Sequence, residues 1–209
     1  IETAIAFVEE EYGDAGLDRI IYGVSDEEPR GMFLPKESSE QGFADKDVLI
    51  LRGRRRQEQM YRLPAHEYSH ALFVSEWRQE EERMNLDQRW SHLLYEGHAQ
   101  YIGAETLAEY THQCIEELEN TYYLPKDDDE AAELLEQEAV LEGDRNWEQD
   151  EDPLFNSDEG YRLAYGVVQT IVEQQEDLEL MDIPHLEHDR AKRLVEETLL
   201  EMGASDGTD

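Results

Sequence analysis

Apolar residues recur at helical spacing over Glu2 to Tyr12, where Ile5, Phe7, Val8 and Tyr12 stand among acids and Gly13 follows as a stop. Short apolar runs then replace that rhythm. Asp18 to Val24, Met32 to Leu34 and Val48 to Leu51 predict strands, and Gly42-Phe43-Ala44 predicts a short edge strand. From Met60 the helical period returns: Pro64 marks a place where a helix could start, and Ala71, Leu72 and Val74 carry its apolar face. The polar stretches Glu76 to Arg83 and Asn85 to Arg89 predict a loop or an exposed turn. A second helix is predicted from Ser91 to about Glu109, with a possible extension to Tyr122. Lys126 to Asp152 is acidic, with Asp127-Asp128-Asp129 placed to cap a helix bearing Ala131, Leu134, Leu135, Val140 and Leu141. Two further helices are predicted, Gly160 to Gln174 and His188 to Met202, the last around Ala191, Leu194, Val195, Leu199 and Leu200. A small polar tail closes the chain.

Chemistry enters where the second apolar region begins. His66-Glu67-Tyr68-Ser69-His70 is an H-E-x-x-H pattern, and Glu96 follows within Tyr95-Glu96-Gly97-His98-Ala99. Residues four apart share a helix face, so His66 and His70 can grip one zinc ion. Glu67 then lies near the open coordination position, where a carboxylate can take a proton from a water. Catalytic zinc keeps three protein ligands and one open position, and two His with one Glu is an established set. Glu96 is the expected third ligand. His92, four residues earlier on the same helix face, is the geometric alternative; His98 points about 160° away from Glu96. The plain reading of the pattern is two core histidines and a solvated Glu in a Glu-rich chain.

These two motifs resemble those of the gluzincins, zinc metallopeptidases whose third ligand is a Glu on a second helix. Ala65 to Ala71 is similar to that family's A-H-E-x-x-H, and Glu96-Gly97-His98-Ala99 to the E-G-x-A of small, peptidase-MA-like members. The likeness extends over about residues 17 to 175. Tyr95 departs from it, since many members carry Asn before the Glu. The resemblance implies an edge strand beside the cleft that pairs with substrate backbone, a part that Gly42 to Ala44 suits. It also implies a Tyr at the start of the following helix that stabilises the oxyanion. Tyr161 matches that position best and Tyr165 is the runner-up; two core tyrosines is the plain alternative. Together, pattern and resemblance predict an α+β fold in one domain, 1–209. A small N-terminal mixed β-sheet packs on the active-site helix within 1–75, a mostly helical part with the third ligand occupies 76–209, and the cleft lies between.

Charge changes the picture next. The 209 residues carry 53 acidic against 18 basic side chains, a formal net charge of -35, and only four of the basic residues are Lys. Self-repulsion on that scale disfavours the compact state in dilute buffer, and molar salt shortens the screening length to about 3 Å. A salt-adapted protein, as from a halophilic archaeon, fits best; the alternative is a basic partner docking on the acidic surface. The same field argues against nucleic acid as a partner, and Arg52 to Arg56 reads as local ion pairing. A hydrophobic content of 39% is too high for a disordered acidic tail. The one cysteine, Cys114, allows no intrachain disulfide and is expected on the inner side of a helix. No apolar run is long enough to span a membrane. The chain begins at Ile1, which reads as a trimmed or processed start, so secreted, cell-surface and cytoplasmic locations all stay open.

The function expected is a zinc-dependent peptidase acting on a peptide or protein substrate, with Glu67 and Tyr161 catalytic and His66, His70 and Glu96 on the metal. The absence of a G-x-M-E-N-type motif ahead of the zinc helix favours an endopeptidase. A catalytically silent binding module within a larger protein, and a zinc hydrolase of non-peptide amides, are the other readings. His185 and His188 are expected to flank the last helix, with a surface metal as their lesser role.

Overall fold

A computed structural model describes residues 1–24, 30–36, 46–53, 57–81, 83–118 and 158–204. Its elements, in order, are α1 (Glu2–Glu11), β1 (Arg19–Val24), β2 (Arg30–Leu34), β3 (Val48–Gly53), α2 (Gln57–Trp77), α3 (Arg89–Thr111), the single turn α4 (Ile115–Leu118), α5 (Asp158–Gln174), a 3-10 helix (Leu180–His185) and α6 (His188–Ala204). The fold is α+β, as the periodicities predict. Gly42 to Ala44, the segment Lys126 to Asp152, Tyr122 and Arg54 to Arg56 lie outside the described residues.

The chain divides into two compact units, Ile1–Gln79 with Ile102–Ile115, and Glu80–Tyr101 with Glu116–Asp209. The first holds the sheet, in strand order β1-β3-β2. β1 runs parallel to β3, pairing Arg19 with Val48 through Val24 with Gly53. β2 runs antiparallel to β3, pairing Arg30 with Arg52 through Leu34 with Val48. The sheet is therefore mixed, and β2 is an edge among the described residues. Strand residues alternate between faces, so Gly31, Phe33, Leu49 and Leu51 share the face packed on α2, where the last three are buried. Met32, on the opposite face, stays half exposed.

α2 is enclosed by its neighbours. Residues 64–74 are all buried, with β2 and β3 on one flank and α1 on another. The sequence expectation of a start near Pro64 is corrected, since α2 begins seven residues earlier and Pro64 lies inside it. Proline in a helix interior removes one backbone hydrogen bond and costs about 3 kcal/mol in isolation; the enclosing contacts hold the helix through it. Tyr68 anchors α2 to the chain after α1. Its buried hydroxyl accepts from the Ala15 amide at 3.1 Å and donates to Glu9 Oε1 at 2.9 Å. Gly13 and Gly16, at φ 113° and 66°, supply the left-handed backbone that this turn requires.

Asp47 gathers the ends of several elements. Its carboxylate accepts Arg78 Nη1 and Nη2 at 2.7 and 3.0 Å and the Lys36 amide at 2.9 Å. Its backbone amide donates to Asp18 Oδ2 at 2.9 Å. The start of β1, the chain after β2, the start of β3 and the end of α2 thus meet at one residue.

α3 ends at Thr111, because His112 turns left-handed at φ 53° and the chain leaves the helix there. That replaces the expected extension to Tyr122. Cys114 is exposed in the short connection to α4, not on the inner side of a helix. In the second unit, α5 buries Leu163, Ala164, Val167, Val168 and Ile171, and α6 buries Ala191, Leu194, Val195 and Leu199. Leu200, expected on that buried face, is 68% exposed. One step of about 100° beyond Leu199 carries it past the edge of the apolar stripe.

Candidate metal centre

α2 and α3 carry the chemistry. Within the first unit they come close at Gly103, where a Cβ would sit 3.3 Å from Arg62 Cγ and 3.5 Å from His66 Cβ. Glycine there lets the helix backbones meet. Glu96 precedes Gly103 by seven residues on the same unbroken helix, about two turns, and so projects from nearly the same face. One ligand atom each from His66, His70 and Glu96 lies within 4.8 Å of the others, and all three residues are buried.

The donor chemistry fits zinc. His66 Nε2 and His70 Nε2 are 3.1 Å apart, with their rings nearly perpendicular at 82°. As neighbours in water, only one of these nitrogens could donate to the other. Facing a cation, both present lone pairs, and their spacing is close to the edge of about 3.4 Å that zinc bonds of 2.0–2.1 Å define in a tetrahedron. A carboxylate completes the two-His, one-Glu set.

Glu67 lies under β2. A Cβ on Gly31 would fall 2.1 Å from Glu67 Cγ and 2.4 Å from Cδ and Oε1. The strand backbone thus crosses directly over the carboxylate, which is 8% exposed. Sequence reading began this strand at Met32 and passed over Gly31. Its signal was a glycine next to a strand pattern, a mark of close backbone approach.

The E-G-x-A glycine has a parallel role in the second unit. A Cβ on Gly97 would lie 2.1 Å from the Ala164 carbonyl oxygen and 2.6 Å from Val168 Cγ2. Only a glycine lets α5 cross α3 next to Glu96. Tyr161 stands one turn before that crossing, partly exposed in the first turn of α5. Tyr165 is fully buried and stacks on Tyr101, ring centres 5.8 Å apart, which is the place of a core tyrosine.

The remaining histidines separate. His92 Nε2 lies 3.2 Å from Glu96 Oε1, one helical turn before it on α3, and His92 is not part of the convergent group. His98 is fully buried. His185 Nδ1 is 2.8 Å from Glu80 Oε1, and His188 Nδ1 accepts the Asn85 amide at 3.3 Å while its ring meets Trp90 edge-on. That pair ties the start of the last helix to the chain before α3, as a flanking role requires. Among the described residues the one group of His, Cys, Asp or Glu arranged to hold a metal is His66, His70 and Glu96. No described helix is long and apolar enough to cross a membrane.

A family described as "Predicted Zn-dependent protease (DUF2268)" matches residues 4–189. No curated protein and no solved structure matches the chain.

Proposed function

Because the chain belongs to this family of predicted Zn-dependent proteases, we propose that it is a zinc peptidase whose metal sits on His66, His70 and Glu96 and whose general base is Glu67. The observation that carries this reading is the convergence of two imidazoles and a carboxylate next to a buried Glu held under strand backbone. Zinc, when bound, supplies Lewis acidity to the attacking water and the scissile carbonyl. Glu67 accepts the water's proton and passes it to the leaving amine. Burial under β2 limits its freedom and keeps competing solvent from the carboxylate.

The substrate is an extended peptide. β2 is an edge strand of the described sheet and passes over Glu67, so we assign it the pairing role expected of Gly42 to Ala44. Backbone pairing there delivers a peptide bond to the base without demanding particular side chains, which suits an endopeptidase. Tyr161 is the assigned oxyanion donor. Its place in the first turn of α5, beside the Gly97 crossing, supports that choice over Tyr165, whose ring is buried against Tyr101.

Chelation tests the reading. Peptide hydrolysis in high salt should disappear when metal is stripped and return with about one zinc per chain; hydrolysis indifferent to stripping would overturn it. In the same assay Tyr161→Phe should lower kcat by about 10²–10³, the usual cost of one oxyanion donor, with zinc content unchanged.

A further inference from the structure

We propose that Gly97 is a positioning residue for Tyr161: by lacking a side chain it sets how closely α5 lies on α3, and so where the tyrosine hydroxyl stands. This rests on the oxyanion role assigned to Tyr161 above and deepens it. A Cβ at residue 97 would fall 2.1 Å from the Ala164 carbonyl oxygen, 2.8 Å from its carbonyl carbon and 2.6 Å from Val168 Cγ2. Carbon and oxygen settle no closer than about 3.3 Å in contacts of this kind. Backbone therefore lies on backbone here. The nearest atom belongs to a helix carbonyl, which cannot rotate aside as a side chain would.

Helical geometry ties that contact to Tyr161. Ala164 and Val168 follow it by three and seven residues on α5, about 60° and 20° around the axis. The face seated on Gly97 is thus the face that carries Tyr161. Ala164 and Val168 are fully buried, whereas Tyr161 is partly exposed at the end of the same stripe. A second contact keeps α5 from turning about its axis. Tyr101, one turn after Gly97 on α3, stacks on Tyr165, with ring centres 5.8 Å apart and planes 19° from parallel. The tyrosines fix the rotation of α5, and Gly97 fixes its separation from α3. A methyl at residue 97 must open the crossing by about 1 Å to restore an ordinary contact with the carbonyl. Misplacement of a reacting group by that much costs about 10²-fold in rate. Glu96 belongs to α3 itself, so a displaced α5 leaves its place on that helix unchanged.

A double-mutant cycle tests the inference. The kcat for peptide hydrolysis, the bound zinc and the visible bands of the cobalt-loaded protein are measured in molar salt for the native chain, Gly97→Ala, Tyr161→Phe and the double variant. Gly97→Ala should lose about 10–100-fold in kcat, with zinc content and cobalt bands native. In the Tyr161→Phe background the same substitution should change kcat by no more than about 2-fold, because the group it misplaces is already gone. Equal losses in both backgrounds, or native kcat in Gly97→Ala, would overturn the inference. So would a loss of zinc, which would put the effect at Glu96. If Tyr161→Phe is itself as active as the native chain, the oxyanion assignment fails and this inference fails with it. Should Gly97→Ala not fold, Val168→Ala carries the test, since it removes one side of the same contact without adding atoms. Its few-fold loss of kcat should vanish beside Tyr161→Phe; a loss that persists there, or no loss at all, overturns the positioning role.

Discussion

Glu67 can occupy its place only because residue 31 has no side chain. Gly31→Ala puts a methyl where the Glu67 side chain now lies, 2.1 Å from Cγ. Either β2 lifts or Glu67 swings away, and overpacking of this kind costs about 1–3 kcal/mol. The expected outcome is a lower melting temperature and a sharp fall in kcat, with zinc content intact because His66 and His70 are not displaced. Native kcat in Gly31→Ala would contradict the placement of the base. At this scale the sequence is informative about groups with distinctive chemistry. His66, Glu67 and His70 stand out through their H-E-x-x-H spacing, whereas Glu96 is picked out over His92 by the resemblance of Glu96-Gly97-His98-Ala99 to the E-G-x-A motif. Gly31 and Gly97 do their work by lacking atoms, so their meaning depends on what crosses over them. Nothing local indicates that β2 passes Glu67 or that α5 passes Glu96.

At the scale of elements, periodicity located α1, the three strands, α3, α5 and α6 to within a few residues, because each buries one face against a neighbour. α2 departed from expectation at its start. Its apolar surround tolerates Pro64, a tertiary effect that propensity does not contain. The end of α3 depended on one residue, His112, adopting a left-handed backbone. The meeting of element ends at Asp47 was also invisible, since its partners Arg78, Lys36 and Asp18 are scattered along the chain. Burial alone would raise the Asp47 pKa, but Arg78 and the Lys36 amide outweigh it and hold the carboxyl below its ordinary value of 3.8. A depressed folded-state pKa means stability that is present above the ordinary value and lost as pH falls through the folded one. Asp47→Asn should therefore lower stability at neutral pH by about 1.5–3 kcal/mol, the range for hydrogen bonds to a charged group. The gap between variant and native should close as pH drops below about 4. Thermal melts across that range check it; a gap that stays constant with pH would show that Asp47 contributes by shape and not by charge.

For the whole molecule the dominant property is charge, and composition displays it in full. Fifty-three acidic residues against 18 basic ones leave far more acids than cations to pair with them. Glu105 shows the consequence locally: burial, with Glu11 close by, raises its pKa. Screening weakens repulsion of this kind, so we propose that melting temperature rises with KCl from dilute buffer toward about 2 M, where the screening length is a few Å. A flat or falling curve would instead favour a basic partner that neutralises the surface. Molar salt is accordingly the condition in which activity should be measured. The central claim, that Glu67 is the base of a zinc peptidase, is tested most directly by Glu67→Gln. Peptide hydrolysis and bound zinc are measured together in native and variant protein at high salt. The account predicts about one zinc per chain in both and a loss of about 10²–10⁴ in hydrolysis, the contribution of a general base. A variant that keeps its zinc and hydrolyses peptides at the native rate would contradict it.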